Sequence, residues 1–190
     1  KESAFFQEIY NNYPFSLESK QLLNFRKIPY YAKLCGLNER KRLDTMIRIH
    51  SLQEAIYDLD SYGEKNWFID RIRINEIWEK IDEEIDDFDI RRSSIRYAIE
   101  DLKKYQEIEI HLRERQFPLD VPLLEFYKTK TCDIRLERAI IEQMSQSGIS
   151  RLLNEAWLLF DIISEVQDDL EDYWEDLGSY NFNRIQTEVY

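Results

Sequence analysis

The residues of this sequence best suited to chemistry are the carboxylates of the segment EVQDDLEDYWED, residues 165–176. Asp168 and Asp172 are four residues apart and Asp169 and Asp172 are three apart, so a helix brings them close together on its surface. Mg²⁺ prefers oxygen ligands and is usually held by one or two carboxylates together with substrate phosphates. The spacing predicts either a magnesium site formed by Asp168, Asp169 and Asp172 or a solvated acidic patch.

The segments that position these carboxylates are predicted to be helices. The chain of 190 residues contains only four glycines and four prolines, and no stretch alternates apolar and polar residues. Helical spacing of apolar residues predicts helices over 37–62, 66–80, 90–116, 123–144 and 149–177. Because the chain has no internal repeat and no linker, residues 1–190 are predicted to form one all-α domain, an antiparallel helical bundle.

The helix predicted over 149–177 is apolar on two nearly opposite sides. Its two stripes consist of Leu152, Ala156, Leu159, Ile163, Val166 and Leu170, and of Leu153, Trp157 and Phe160. A helix that is apolar on both sides is typical of the centre of a bundle. We therefore expect this helix to be central, with Leu153 and Trp157 buried and its carboxylates at one end.

Composition limits the classes of partner. The formal net charge of −12 disfavours nucleic acid and favours cationic ligands. Cys35 and Cys132 are too few and too far apart to indicate a disulfide framework, and the longest apolar runs are too short to span a membrane. We expect a cytoplasmic protein with no nucleic-acid partner and no membrane span.

Four segments resemble motifs of one enzyme family. QDDLED at 167–172 resembles the second aspartate-rich motif of the trans-isoprenyl diphosphate synthases, QDDxxD. FYKTKTCDIRL at 126–136 resembles their Lys-Thr segment, and RIHSLQEAIYDLDSY at 48–62 resembles the helix of their first motif. NFRKIPYYAKL at 24–34 is similar to the region of their GKxxRP motif. Along the chain, the four segments follow the same order as in the family. Together they resemble a short member of the class I terpenoid-synthase superfamily.

The branch within the superfamily stays open at this stage. The segment DYWED at 172–176 also resembles the DxxED element of the squalene/phytoene synthases. Either resemblance implies a helical bundle of the isoprenoid-synthase type around a central apolar cavity. It also implies Mg²⁺ as the cofactor and ionisation of an allylic prenyl diphosphate, followed by cyclisation, transfer or hydrolysis.

The resemblance also implies roles for individual residues. Asp168, Asp169 and Asp172 take the catalytic and metal-binding positions of the family. The residues expected to contact the substrate are Lys128, Lys130 and Gln167 near the diphosphate, and Trp157 and Phe160 along the prenyl chain.

The first aspartate motif of the family is altered in this sequence. Alignment on Ser51 and Leu52 places apolar residues where its aspartates belong, and the nearest carboxylates are those of Glu54 and Asp58, followed by Asp60. We expect Glu54 and Asp58 to act as further Mg²⁺ ligands that face Asp168 or Asp172 across the mouth of the cavity.

Two alternatives to an enzyme remain. The altered first motif favours a non-catalytic relative that binds an active prenyl synthase, and a homodimer is a further expected assembly. In the other alternative, the chain is an acidic helical scaffold and its resemblance to the family is accidental.

Overall fold

The computed structural model of the protein describes residues 11–113, 121–145, 151–178 and 182–189. Across these residues the fold is an all-α helical bundle without strands, as the sequence predicts. Its helices are α1 (Leu17–Phe25), α2 (Ile28–Leu34), α3 (Glu39–Lys65), α4 (Arg71–Asp86), α5 (Arg96–Arg113), α6 (Leu123–Lys130), α7 (Cys132–Met144), α8 (Arg151–Glu171), α9 (Tyr173–Asp176) and α10 (Arg184–Val189).

The single helix predicted over 123–144 is two helices, α6 and α7, which meet at Thr131. The Thr131 hydroxyl donates a hydrogen bond of 2.9 Å to the carbonyl of Lys128. A side chain that bonds to a nearby carbonyl competes with the regular helical ladder. The break therefore has a local cause that apolar periodicity does not reveal.

Helix α7 is at the centre of the bundle. It contacts α2, α3, α5 and α6, and it buries the apolar side chains Ile134, Leu136, Ile140 and Ile141 completely. These residues belong to the main apolar cluster, which also takes residues from α1 to α5. Because α7 contacts four other helices and buries these side chains completely, it has the central position predicted for the helix over 149–177.

Helix α8 lies at the side of the bundle, where it packs chiefly against α6 and the short helices α9 and α10. Three large residues of its first apolar stripe face solvent: Leu159 is 56% exposed, Ile163 64% and Leu170 55%. Leu153, from the second stripe, is also exposed. The prediction that this helix is central and buries Leu153 is therefore wrong.

The buried side of α8 carries carboxylates next to the apolar Ile162. Asp161, Glu165 and Asp169 are four residues apart and buried, and each forms an ion pair with a cation from another segment. The cations are Arg138 for Asp161, Arg26 for Glu165 and Lys130 for Asp169. Because a buried charge without a partner is strongly destabilising, these pairs turn the acidic face of α8 inward and leave its apolar stripe outside.

Two further expectations concern membrane-spanning helices and the cysteines. None of the helices in the described part of the chain is long and apolar enough to cross a membrane. Cys35 and Cys132 are both buried cysteines. Each packs as a small apolar side chain in the main cluster.

Candidate functional site

A cavity of about 270 Å³ opens between α3, α5 and the carboxyl-terminal half of α8. Nine of its lining residues are carboxylates: Asp60, Glu64, Glu109, Asp133, Glu165, Asp168, Asp169, Asp172 and Asp176. Among the described residues, only two cationic side chains, those of Arg26 and Lys130, share the lining. We call this space the acidic cavity; the resemblance, in contrast, implies an apolar one. The excess of negative charge favours a cationic ligand.

Two sets of carboxylates come to the acidic cavity from different helices. Asp60 and Glu64 are four residues apart on α3, and we call them the α3 wall. Asp168 lies near the end of α8 and Asp172 directly after it, and we call them the α8 wall. No hydrogen bond or ion pair among the described residues links these four carboxylates to another side chain. They are therefore the groups best placed to accept an external cation.

The electrostatics of the two walls also favour the binding of a cation. Burial, together with the nearby charges of Glu109 and Asp133, raises the pKa of Asp60 well above its ordinary value. Partial desolvation and the charge of Asp168 raise the pKa of Asp172. A raised carboxyl pKa means that the ionised form is disfavoured. A bound divalent cation would remove this penalty on both walls.

Asp169 also lines the acidic cavity, but its carboxylate is already engaged. It accepts a 2.6 Å hydrogen bond from the Tyr127 hydroxyl and a 3.2 Å hydrogen bond from the Arg184 backbone N–H. It also pairs with the Lys130 ammonium, which lies 3.5 Å from Glu165. These contacts fasten α8 to α6 and to the start of α10.

Lys130, one of the predicted diphosphate contacts, is held within this network. Burial opposes its charged form, but Glu165 and Asp169 outweigh that effect and raise the pKa of Lys130. The ammonium therefore stays protonated and neutralises two carboxylates of α8. The structure places Lys130 in the lining of the acidic cavity, with its charge already paired.

Two other predicted substrate contacts are elsewhere. Lys128 lies 3.6 Å from Glu125, one turn earlier on the exposed side of α6. Gln167 is exposed, and its side-chain amide donates a 2.7 Å hydrogen bond to Glu171. Neither residue lines the acidic cavity.

Glu54 and Asp58 do not face the α8 wall. The Glu54 carboxylate accepts a hydrogen bond of 2.8 Å from the backbone N–H of Ser16. Asp58 pairs with Lys80 of α4 at 2.6 Å. The prediction that Glu54 or Asp58 approaches Asp168 or Asp172 is therefore wrong.

The reason for this error is the side of helix α3 on which each carboxylate lies. Ile56 lines the acidic cavity, and Asp60 and Glu64 follow it at steps of four residues, on the same face. Glu54 and Asp58 are each two residues away from Ile56, which places them on another side of the helix. The signal that identifies the α3 wall is therefore the buried Ile56, which was available in the sequence as part of the apolar periodicity.

Trp157 and Phe160, predicted along the prenyl chain, do not line the acidic cavity. Their rings contact each other with centroids 5.8 Å apart, and Phe160 also lies 6.3 Å from Phe25. Trp157 lines a second pocket, between α7 and the amino-terminal half of α8. The apolar residues that do line the acidic cavity include Ile56, Leu102 and Phe182.

Neither ligand geometry nor similarity identifies the site further. Within the ranges that the structure describes, no three His, Cys, Asp or Glu side chains are already grouped as metal ligands. No family model, curated protein or solved structure matches the chain. The charges and contacts of the acidic cavity therefore carry the functional argument.

Proposed function

We propose that the acidic cavity binds Mg²⁺ together with a prenyl diphosphate, and that the protein is a magnesium-dependent enzyme acting on that substrate. The observation that carries this proposal is the presence of two carboxylate walls, from α3 and α8, in one cavity. Mg²⁺ requires hard oxygen ligands and is commonly shared between carboxylates and substrate phosphates. The choice of a prenyl diphosphate as the substrate is supported by the resemblance of QDDLED to the family motif.

The residues present fit the proposed ion. Asp168 and Asp172 of the α8 wall would hold Mg²⁺ from one side, and Asp60 and Glu64 of the α3 wall from the other. When bound, Mg²⁺ supplies charge that stabilises the departing diphosphate. Asp169 is assigned a positioning role, because its contacts with Tyr127 and Lys130 fix the end of α8.

The hydrocarbon part of the substrate would lie against the apolar lining of the same cavity. Ile56, Leu102 and Phe182 supply that lining. Apolar side chains around a reacting centre exclude water and so protect a reactive intermediate from hydrolysis. The lining of the acidic cavity thus offers carboxylates for the ion and several apolar side chains for the hydrocarbon part.

One observation favours a second candidate, a non-catalytic relative that binds the same kind of ligand. Arg26 and Lys130 are the cations of the cavity lining, and both are paired with buried carboxylates of α8. Breaking a buried pair costs about 3–5 kcal/mol, so neither cation is readily transferred to a diphosphate. Under this candidate, the cavity binds the ligand without ionising it.

The binding step can be tested with Mg²⁺ and pyrophosphate, by measuring the melting temperature with each alone and with both. A ligand that binds only the native state stabilises it by about 2.7 kcal/mol at a hundredfold excess over Kd. We expect the increase with both ligands to exceed the sum of the separate increases. A generic acidic surface would repel pyrophosphate, so small additive shifts would reject the proposal.

Matched variants locate the effect. Asp168→Ala/Asp172→Ala should abolish the synergy and leave the fold intact, because both side chains are exposed. Glu125→Ala/Glu171→Ala removes two exposed carboxylates outside the acidic cavity and should leave the synergy unchanged. Synergy that survives the first double substitution would place the site elsewhere.

Turnover separates the two candidates. Release of pyrophosphate from geranyl, farnesyl or geranylgeranyl diphosphate, dependent on Mg²⁺ and lost in Asp168→Ala/Asp172→Ala, is the outcome expected for an enzyme. Synergistic binding without pyrophosphate release from any of the three would support the binding-only candidate.

A further inference from the structure

The connection between α3 and α4 presents large apolar side chains to solvent. In the segment KNWFIDRIR, residues 65–73, Trp67 is 41% exposed, Phe68 87% and Ile72 71%. Single apolar residues at a protein surface need no explanation, whereas three large ones so close in sequence indicate an interaction site. We call these three side chains the apolar tip.

The backbone that carries the apolar tip is held in place by the helices on either side. The Asn66 side-chain amide donates a 2.9 Å hydrogen bond to the carbonyl of Tyr62, and the Tyr62 hydroxyl accepts a 3.0 Å hydrogen bond from the backbone N–H of Asp70. The Asp70 carboxylate accepts a 2.8 Å hydrogen bond from a backbone N–H in the first turn of α4. Ile69 packs against the main apolar cluster, while its neighbour Phe68 faces solvent. Because the connection is fixed in this way, little conformational entropy is lost when the apolar tip binds a partner.

The same segment is basic, although the whole chain has a formal net charge of −12. Lys65, Arg71 and Arg73 are its cations, against one carboxylate. Arg71 lies 2.6 Å from Glu107, and these side chains are about half exposed. Arg73 lies 2.7 Å from Glu76, with similar exposure. Exposed pairs of this kind add little to stability, so both guanidinium groups can move to an external phosphate at little cost.

Shape and composition together define the partner. Aromatic side chains beside Lys and Arg are typical of segments that lie in the interface of a bilayer, where the rings reach the acyl chains and the cations meet anionic headgroups. A protein partner needs a pocket shaped to receive Phe68, whereas a bilayer adapts to a projecting side chain.

We propose that the apolar tip inserts Trp67 and Phe68 into the surface of a bilayer that contains anionic phospholipid, with Lys65, Arg71 and Arg73 at the headgroup phosphates. None of these residues lines the acidic cavity, so the proposal is independent of the proposed Mg²⁺ site.

Sedimentation with lipid vesicles tests the proposal, in buffer without Mg²⁺ or pyrophosphate. Vesicles of phosphatidylcholine alone are compared with vesicles of phosphatidylcholine mixed with phosphatidylglycerol. We expect saturable binding that is at least about tenfold tighter to the mixed vesicles and that weakens as salt is added. An acidic protein has no general attraction to an anionic vesicle, so this preference would have to come from the local basic segment. Absence of binding to the mixed vesicles would overturn the proposal and leave the apolar tip as a surface for a protein partner.

Insertion is distinguished from adsorption by the fluorescence of Trp67, obtained as the difference between the unsubstituted protein and Trp67→Phe. We expect lipids with brominated acyl chains to quench this fluorescence, because the indole would lie at the boundary of the acyl chains. Binding to vesicles without quenching would show adsorption at the headgroups only and would overturn the proposed insertion.

Matched variants locate the binding surface. Trp67→Ser/Phe68→Ser should weaken binding to the mixed vesicles at least about tenfold, since two apolar side chains no longer leave water. Trp174→Ser/Leu177→Ser removes two exposed apolar side chains elsewhere and should leave binding unchanged. Equal weakening in both double variants would overturn the assignment to the apolar tip.

The cations are tested with Lys65→Gln/Arg73→Gln, which should reduce the preference for the mixed vesicles about tenfold. Arg40→Gln/Lys41→Gln, which removes two cations at the start of α3, is the control and should keep the preference. A preference that survives Lys65→Gln/Arg73→Gln would overturn the role of the basic segment. Urea denaturation of each variant checks that the fold is retained.

Discussion

Arg138 of α7 and Asp161 of α8 form a bidentate ion pair whose side chains are 7% and 0% exposed. One arm of the pair, from Nη2 to Oδ1, measures 3.0 Å. A bidentate pair fixes the relative orientation of its two partners as well as their separation. This contact, followed by Arg26 with Glu165 and Lys130 with Asp169, determines which face of α8 is buried.

The Arg138–Asp161 pair predicts a large stability effect for Asp161→Ala. Removal of the carboxylate leaves the buried guanidinium of Arg138 without its main partner. Loss of one member of a buried pair typically costs about 3–5 kcal/mol. We expect a decrease of this size in the free energy of unfolding, measured by urea denaturation.

The exposed pair between Asp58 and Lys80 provides the control. Both side chains are more than half exposed, and pairs of this kind contribute about 1 kcal/mol or less. Asp58→Ala should therefore change the free energy of unfolding only slightly. A similar loss in Asp58→Ala and Asp161→Ala would contradict the buried role of the Arg138–Asp161 pair.

The orientation of α8 is tested by the same substitution at two isoleucines. Ile163→Ala shortens an exposed side chain and should alter the free energy of unfolding by no more than about 0.5 kcal/mol. Ile140→Ala removes the same atoms from a fully buried residue of α7 and should cost about 2–5 kcal/mol. Thermal and urea denaturation measure both. If Ile163→Ala is as destabilising as Ile140→Ala, then α8 is buried on its apolar side.

The contrast between these isoleucines shows what could and could not be predicted from the sequence. The all-α class and most helix ranges follow from local spacing, which needs no information from distant residues. The direction in which α8 faces depends on Arg26, Lys130 and Arg138, which are distant in sequence. Apolar periodicity assigns the apolar stripe to the interior because it cannot recognise that the opposite, acidic face is neutralised by these cations.

The candidate site could likewise be predicted only in part from the sequence. Asp168 and Asp172 could be found from a local motif, and the structure places both at the acidic cavity. Asp60 and Glu64 were missed as a pair because the carboxylates nearest to the aligned positions, Glu54 and Asp58, were chosen although they lie on another side of α3 from Ile56. The second pocket, which Trp157 lines, could not be found from the sequence, since its lining comes from four helices.

Glu137 predicts a stability effect that depends on pH. Its side chain is completely buried, and neither carboxylate oxygen has a hydrogen-bond partner in the part of the chain that the structure describes. Burial and the charge of Asp133 raise the pKa of Glu137 well above its ordinary value. The native state therefore keeps the proton at pH values where the unfolded chain, with an ordinary Glu pKa of about 4.3, has lost it.

Between these two pKa values the unfolded state binds fewer protons than the native state, so the contribution of Glu137 to stability falls as pH rises. Glu137→Gln removes this titration at nearly constant volume. We expect the stability of Glu137→Gln relative to the unsubstituted protein to increase from pH 4.5 to pH 8, measured by urea denaturation across that range. A difference that does not change with pH would show that Glu137 titrates normally in the native state.

The last prediction concerns which carboxylates of α3 contribute to the proposed Mg²⁺ site. Asp60 and Glu64 line the acidic cavity, whereas Glu54 and Asp58 bind Ser16 and Lys80 outside it. Asp60→Asn/Glu64→Gln and Glu54→Gln/Asp58→Asn each replace two carboxylates of the same helix by amides of nearly the same size. The formal net charge of the protein is therefore identical in the two double variants.

Charges close to a bound cation act strongly where water is partly excluded: at 4 Å the interaction is about 4 kcal/mol for an effective dielectric constant of 20, against about 1 kcal/mol in water. We therefore expect Asp60→Asn/Glu64→Gln to weaken Mg²⁺ binding in the presence of pyrophosphate by at least about tenfold, measured by isothermal titration calorimetry. Glu54→Gln/Asp58→Asn should change the affinity by less than about threefold, since these two carboxylates lie outside the acidic cavity and are bonded to Ser16 and Lys80. Equal weakening in both variants would mean that Mg²⁺ responds only to net charge. If Mg²⁺ binding is weakened more in Glu54→Gln/Asp58→Asn, then the metal site lies at Glu54 and Asp58, the carboxylates expected from the family alignment.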